Sequence, residues 1–232
     1  MSLPTVSLTD VHAGYGDVEV LCSVSYVFRQ RRTTAIIGPG GSGKSTLLRL
    51  ICSQEGAGDG LWRAGEVRTD GLRTALVTQS PRASTQTVAE LVATRLSTRE
   101  PRSAIERFWR GGSVGAAAEL GRFLEVSLQD CPVSVARLAE FMVLATDPEP
   151  VLCVDEPECG TGEAREWIWA KLETMRGERT VIIVTHNLEC VRRYSDDLVF
   201  LLDGKLVESG ETTAVFQRPK RARTREMIRW GA

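Results

Sequence analysis

The order of apolar and polar positions divides the chain into short strands and helices that alternate. Thr5 to His12 alternates apolar and polar residues, the period of a half-buried strand. Val18 to Phe28 continues in β-rich fashion, and Thr33 to Ile37 is a short apolar strand broken by the run Gly38 to Gly43. Ser45 to Cys52 follows as a buried helix carrying Leu47, Leu48, Leu50 and Ile51. A loose glycine-rich stretch is expected from Gly56 to Gly65, then a strand over Arg73 to Gln79.

The middle of the chain changes period. Thr87 to Leu96 sets Val88, Leu91, Val92 and Leu96 on one helical face. Ala104 to Trp109 and Val114 to Leu124 also read as helices, split by Gly111 and Gly112, so residues of about 82 to 130 form a helical insertion between strands. Val135 to Ala145 is a helix, Val151 to Val154 a buried strand, Glu163 to Met175 a helix and Thr180 to Thr185 a strand. Asp203-Gly204 between Asp197–Leu202 and Lys205–Ser209 is a two-residue hairpin signal. Strands alternating with helices predict an α/β fold on a mostly parallel sheet.

Composition narrows the function. Over 232 residues, 29 Lys+Arg stand against 30 Asp+Glu, so a protein that grips nucleic acid chiefly through a basic surface is excluded. The basic end, Arg218, Lys220, Arg221, Arg223, Arg225 and Arg229, reads as a solvated terminal helix face. No run of 18 apolar residues exists, and Met-Ser-Leu-Pro-Thr at the start has neither the basic nor the apolar segment of a signal peptide. A cytosolic protein is therefore expected. The six cysteines form no CxxC pair, and Cys52 and Cys153 sit in apolar runs as small core thiols.

Four strand ends carry chemistry. Gly38-Pro39-Gly40-Gly41-Ser42-Gly43-Lys44-Ser45 matches G-x-x-x-x-G-K-[ST], between a strand and a helix. Its glycines let backbone N–H groups turn inward around phosphate oxygens, and the helix behind it points its positive end at the same anion. Lys44 is placed to reach the β- and γ-phosphates of ATP, and Ser45 to ligate Mg²⁺. The apolar strand Val151 to Val154 ends in Asp155-Glu156: the first carboxylate suits the Mg²⁺ shell, the second an attacking water. The strand Thr180 to Thr185 ends in His186, placed to hydrogen-bond a γ-phosphate or that water. Gln79 ends the strand Leu76-Val77-Thr78 and offers a neutral amide to Mg²⁺ or water.

Together these residues resemble the ATP-binding cassette ATPases, the nucleotide-binding subunits of ABC transporters, over almost the whole chain. The resemblance implies a phosphate-loop ATPase fold: a mostly parallel core sheet, an N-terminal β-subdomain and an inserted helical subdomain. In these terms residues 1–232 form one ABC ATPase domain. Residues 1–81 and 146–232 make the core with its β-subdomain, and 82–145 the helical subdomain. The resemblance assigns Tyr15, in Ala13-Gly14-Tyr15-Gly16, to stacking on adenine, and Gly65-Glu66-Val67 and Asp70-Gly71 to the β-subdomain. It implies ATP and Mg²⁺ as cofactors. Gly38 to Thr46, Tyr15 and Gln79 would contact the nucleotide, Ser45, Gln79 and Asp155 the metal, and Glu156 and His186 would be catalytic. The segment from Thr185-His186-Asn187 through Phe216 and Pro219-Lys220 to Arg225 looks most like the ATPases of phosphate importers. Such a subunit dimerises head to tail, with itself or a second ABC ATPase, and docks on membrane-spanning subunits at the inner face of the cell membrane. No nucleic-acid partner is implied.

The sequence departs from the family in one loop. The family's Leu-Ser-Gly-Gly-Gln signature falls on Asp130-Cys131-Pro132-Val133-Ser134, where nothing of it survives. In the family that loop reaches across the dimer to the partner's γ-phosphate. Pro132 removes an N–H donor, Val133 adds a side chain where backbone must approach, and Asp130 adds negative charge. Glu158 to Gly162 also lacks the family's aspartate at 162, and the helical subdomain is shorter than usual. Impaired hydrolysis is expected, and with it a rival reading: a non-transport ABC ATPase that uses ATP-dependent dimerisation as a switch on a soluble partner.

Overall fold

The computed structural model describes residues 6–52, 60–79, 84–110, 114–146, 150–157 and 163–230. Contacts divide the chain into two compact units: residues 1–76, 149–155 and 176–232, and residues 77–148 and 156–175.

The first unit is built on two sheets. The antiparallel one has the order β2-β1-β4, from β1 (Val6–Tyr15), β2 (Val18–Phe28) and β4 (Leu61–Arg68). The larger one has the order β5-β6-β7-β3-β8-β9. Its strands are β3 (Thr33–Ile37), β5 (Thr74–Val77), β6 (Val151–Asp155), β7 (Thr180–Val184), β8 (Asp197–Leu202) and β9 (Lys205–Glu211). The pairs β6–β7, β7–β3 and β3–β8 are parallel, and only the hairpin β8–β9 is antiparallel among the registered pairs. Asp203 (φ 48°) and Gly204 (φ 73°) form its turn with both residues in the left-handed region, as the Asp-Gly pair predicts.

β3 is buried at every position because both faces of the sheet are covered. Ile36, Val199 and Leu201 turn to one face and join Leu47, Leu48, Leu50 and Ile51 of α1 (Lys44–Cys52) with Val6, Leu8 and Val11 of β1. Ala35, Ile37, Leu198 and Phe200 turn to the other face. There they join Val191 of α7 (Leu188–Tyr194), Val215 of α8 (Thr212–Gln217) and Met227 of α9 (Ala222–Trp230). The period-two alternation of these strands thus separates two cores. At the amino-terminal end of the sheet Asp197 is fully buried and accepts from Arg32 Nε at 2.9 Å and from Arg29 Nε at 2.9 Å. Asp196 beside it is held below the usual carboxylate range: burial opposes ionisation, but Arg176 and the Thr33 N–H outweigh it.

The second unit is helical: α2 (Val88–Leu96), α3 (Pro101–Trp109), α4 (Val114–Arg122), α5 (Val133–Thr146) and α6 (Glu163–Thr174). Thr87 starts α2 with a reciprocal cap, accepting from Glu90 N while Glu90 accepts from Thr87 N. Phe108, Trp109 and Phe141 form an aromatic cluster with centroids 4.9–6.3 Å apart. Lys171 donates to Phe108 O at 2.7 Å and lies 4.3 Å from that ring's centroid; burial lowers its pKa.

The α/β class expected from the sequence is that of the structure. Three elements differ. Residues 61–65, expected as loose chain, belong to β4, while 56–59 lie outside the described residues. β4 shows no burial alternation, since nearly all its side chains are exposed, and its order comes from pairing with β1. Gly65 (φ 80°) serves that pairing: a Cβ there would meet Asp10 O at 2.0 Å. α3 begins at Pro101, three residues ahead of expectation, and α7 was not expected at all. Gly111, Gly112 and the segment Glu158–Gly162 lie outside the described residues.

Candidate nucleotide site

In the first unit three of the four chemistry-bearing strand ends are neighbours. β6, β7 and β3 are adjacent and parallel, so their carboxyl ends open at one edge. Asp155 registers with Val184, and Val184 with Ile36, at one level across the sheet. The glycine loop leaves β3 one residue past Ile37, and His186 follows β7 by two residues. This is the crevice at the carboxyl ends of strands where open α/β sheets bind ligands.

The loop's geometry can be tested against a phosphate group. Gly38 is required by close approach: a Cβ would meet Leu201 O at 2.0 Å and Ser42 Oγ at 2.7 Å. At Gly40 and Gly41 the reverse holds, with no heavy atom within 4 Å of an added Cβ. Ser42 N donates to Pro39 O at 3.2 Å, closing the turn, while the buried Ser42 Oγ has no hydrogen-bond partner among the described residues. Lys44 is buried and donates from Nζ to Gly38 O and Pro39 O, each at 2.8 Å. An open concavity, an orphaned hydroxyl and a cation folded onto its own loop fit an anion that would take all three.

The oxygen donors of Ser45 and Asp155 are of the hard type that suits Mg²⁺, which keeps several waters and few protein ligands. Among the described residues no group of three or more His, Cys, Asp or Glu could hold a metal alone. Asp155 is 8% exposed, whereas His186 is exposed on a turn braced by Thr185 Oγ1, which accepts from Asn187 N at 2.9 Å. Asn187 in turn caps α7 by accepting from Cys190 N at 3.1 Å. Tyr15 ends β1, half-buried, and Arg49 Nη1 of α1 donates to its hydroxyl at 3.3 Å.

Gln79, Glu156 and the loop 130–134 belong to the second unit. Gln79 Nε2 donates to Glu156 Oε2 at 2.9 Å, so those two side chains meet directly. Glu156 has φ 47°, the left-handed region, uncommon for a residue other than glycine. Arg137 of α5, unremarked in the sequence, is 1% exposed and donates to backbone carbonyls of Thr78, Gln79 and Glu156. The signal that marks it is an arginine among the otherwise apolar buried positions of a helix.

The loop before α5 is closed on itself. Asp130 N and Cys131 N both donate to Ser127 O at 3.0 Å, and Ser127 Oγ donates to the Asp130 carboxylate. Pro132 has no N–H, its carbonyl accepts from Val135 N and Ala136 N, and Val133 is 63% exposed.

Comparison with known proteins agrees with this geometry. The ABC transporter family model matches residues 21–158. The phosphate import ATP-binding protein PstB of Salinibacter ruber is 29% identical, covering 97% of both chains. PstB 1 of Yersinia pestis bv. Antiqua is 31% identical, covering 92% of this chain and 86% of its own. Among solved structures, an ATP-binding subunit of an ABC transporter superposes with TM-score 0.76 at 18% identity, over 97% of this chain and 98% of that one. With the phosphate-loop geometry and these matches together, the chain belongs to the ABC transporter family, as one of its ATP-binding subunits.

Proposed function

We propose that this chain binds Mg-ATP at the carboxyl ends of β3, β6 and β7 and hydrolyses it to drive a membrane importer, most like the phosphate importers whose ATPases are its relatives. The observation that carries the reading is the loop 38–43, open at Gly40 and Gly41, with Lys44 Nζ folded against it and a buried Ser42 hydroxyl that has no partner among the described residues. Gly38 to Thr46 would hold the phosphates, Tyr15 the adenine, and Ser45, Asp155 and Gln79 the metal shell. Bound Mg²⁺ supplies positive charge to the β- and γ-phosphate oxygens. Glu156 orients the attacking water and accepts its proton, and His186 donates to the γ-phosphate. The chain works in the cytoplasm, against the inner face of the membrane.

The loop 130–134 shapes the partnership. In a head-to-tail homodimer each site would face a loop whose N–H groups at 130 and 131 are spent and whose residue 132 has none. A different ABC subunit with an intact signature would complete this chain's site. The same closed loop favours a second reading, an ATP-dependent dimerisation switch acting on a soluble partner.

The test pairs binding with turnover. Wild type and Glu156→Gln should bind a fluorescent ATP analogue alike, while Glu156→Gln loses whatever hydrolysis wild type has. Equal turnover in both removes Glu156 from the role of base. Purification from native membranes decides between the readings: co-purifying membrane-spanning subunits support import, and a soluble partner alone supports the switch.

A further inference from the structure

A guanidinium inside a helix core is costly unless its N–H groups are spent on well-placed acceptors. Arg137 lies among Val135, Ala136, Leu138, Ala139, Phe141 and Met142, all buried. Its Nη1 donates to Thr78 O at 2.8 Å and also to Gln79 O, and its Nη2 donates to Glu156 O at 2.6 Å. These carbonyls belong to two segments far apart in the chain. Each segment carries one of two side chains that meet, Gln79 Nε2 on Glu156 Oε2 at 2.9 Å. The planar fork of arginine, unlike the single ammonium of lysine, can hold two such segments at once.

Glu156 adds a reason for the clamp. Its φ of 47° is a backbone state that a non-glycine residue keeps only where its surroundings over-determine it. The bond from Arg137 to the Glu156 carbonyl is one such constraint, and it acts on the peptide that aims the carboxylate. The Gln79 backbone is held by the same guanidinium, so the amide and the carboxylate are placed relative to each other by a residue that bonds to the main chain of both.

We propose that Arg137 is a positioning residue for the hydrolytic step: it sets the Glu156 carboxylate and the Gln79 amide in register, and without it ATP still binds but is not cleaved efficiently. This rests on the reading of Glu156 as the residue that orients water. Misplacement by about 1 Å costs up to ~10²-fold in rate. Binding should change little, because the bonds that Arg137 makes to the backbone of 78, 79 and 156 act on the residues proposed for the hydrolytic step.

The experiment uses the full chain, wild type, Arg137→Met and Arg137→Lys, with single-turnover hydrolysis of Mg-ATP and affinity for a fluorescent ATP analogue measured on the same samples. The expected result is an affinity within about threefold of wild type and a rate lowered roughly 10- to 100-fold in Arg137→Met, less in Arg137→Lys. In a Glu156→Gln background the Arg137 changes should have no further effect on rate. A rate unchanged in folded Arg137→Met overturns the proposal, as does a loss of affinity that matches the loss of rate. Arg137→Lys keeps the buried charge and long stem, and stands in where the methionine variant fails to fold. A second readout needs no turnover: the side-chain amide resonances of Gln79 in nucleotide-free protein. They should shift in Glu156→Ala, which removes their acceptor, and move in the same direction in Arg137→Lys. Gln79 resonances that stay at their wild-type position in both Arg137 variants overturn the proposal. Where wild type alone does not cleave ATP, as the closed loop 130–134 allows, the Gln79 amide decides whether Arg137 positions it.

Discussion

Of the loops before α1 and before α5, the first is built for an anion and the second is not. The loop 38–43 leads into α1 with open space at Gly40 and Gly41, an orphaned Ser42 hydroxyl and Lys44 at hand. The loop before α5 has spent its Asp130 and Cys131 N–H groups on Ser127 O, carries a carboxylate tied to Ser127 and reaches the helix through Pro132. Both helices have the same backbone dipole. The difference lies in which N–H groups remain and what space lies before them, so a helix end is an anion site only where the preceding loop leaves donors and room.

The largest expected effect comes from making the second loop resemble the intact pattern. Replacing residues 130–134 by Leu-Ser-Gly-Gly-Gln should raise steady-state turnover of the purified protein by ~10²–10³, the worth of one oxyanion donor or more, with affinity unchanged. If wild type alone already turns over at roughly 1–100 per second, the comparison fails, because the closed loop would then be no handicap.

The converse change empties the first loop. Lys44→Ala removes the buried cation and should weaken Mg-ATP binding roughly 10- to 150-fold, the loss of one charge-assisted bond of about 1.5–3 kcal/mol. Titration with a fluorescent analogue measures it, and equal affinities would show that the loop does not hold phosphate.

A change at the far end of the sheet sharpens the contrast by separating stability from chemistry. Asp197 is fully buried between Arg29 and Arg32, whose side chains keep 46% and 32% of their exposure. Asp197→Ala should cost about 2 kcal/mol in urea unfolding, below the range for wholly buried pairs because both arginines can return to water. Nucleotide affinity of the folded variant should match wild type. A parallel loss of affinity would mean that the two ends of the sheet are coupled.

The smallest effect lies on the exposed antiparallel sheet. His12 Nδ1 meets Glu19 Oε1 at 2.6 Å and Nε2 lies 3.4 Å from Asp10 Oδ1; the Glu19 bond, then the Asp10 charge, raise its pKa. A raised folded-state value means that its contribution to stability is complete below the ordinary histidine value of about 6.5 and fades as pH rises through the folded value. An NMR titration of His12 should show the raised midpoint, and Glu19→Gln should bring it back toward the ordinary value. A midpoint that Glu19→Gln leaves in place would remove Glu19 as the cause.

Legibility in the sequence followed how local each cause was. β2 and β3 carry their own β-rich and apolar patterns, and their ends were read at 18–28 and 33–37, as observed. The phosphate loop was legible because its glycines and Lys44 are contiguous. β4 was not, since an exposed strand shows no apolar period and owes its order to β1. α7 was not, because its seven residues are too short for a periodic signal and its start depends on Asn187 as a cap. The neighbourhood of β6, β7 and β3 was invisible in chain order, where the third strand comes first. Arg137 was invisible for the same reason: its acceptors lie 59, 58 and 19 positions away.

One carbonyl ties two distant glycines into a single steric constraint. Val20 O lies 3.1 Å from where a Cβ on Gly43 would sit and 2.3 Å from where one on Gly204 would sit. Both turns press on Val20 and Leu21 of β2, and the hairpin adds a bond from Cys22 N to Gly204 O at 2.9 Å. Substitution at either glycine is strained by its positive φ as well as by that contact. A one-residue insertion or deletion within Val20–Cys22 would displace both turns at once. The hairpin turn is thus a spacer for the phosphate loop: the position of Val20 sets the room available to Gly43 and to Gly204 alike.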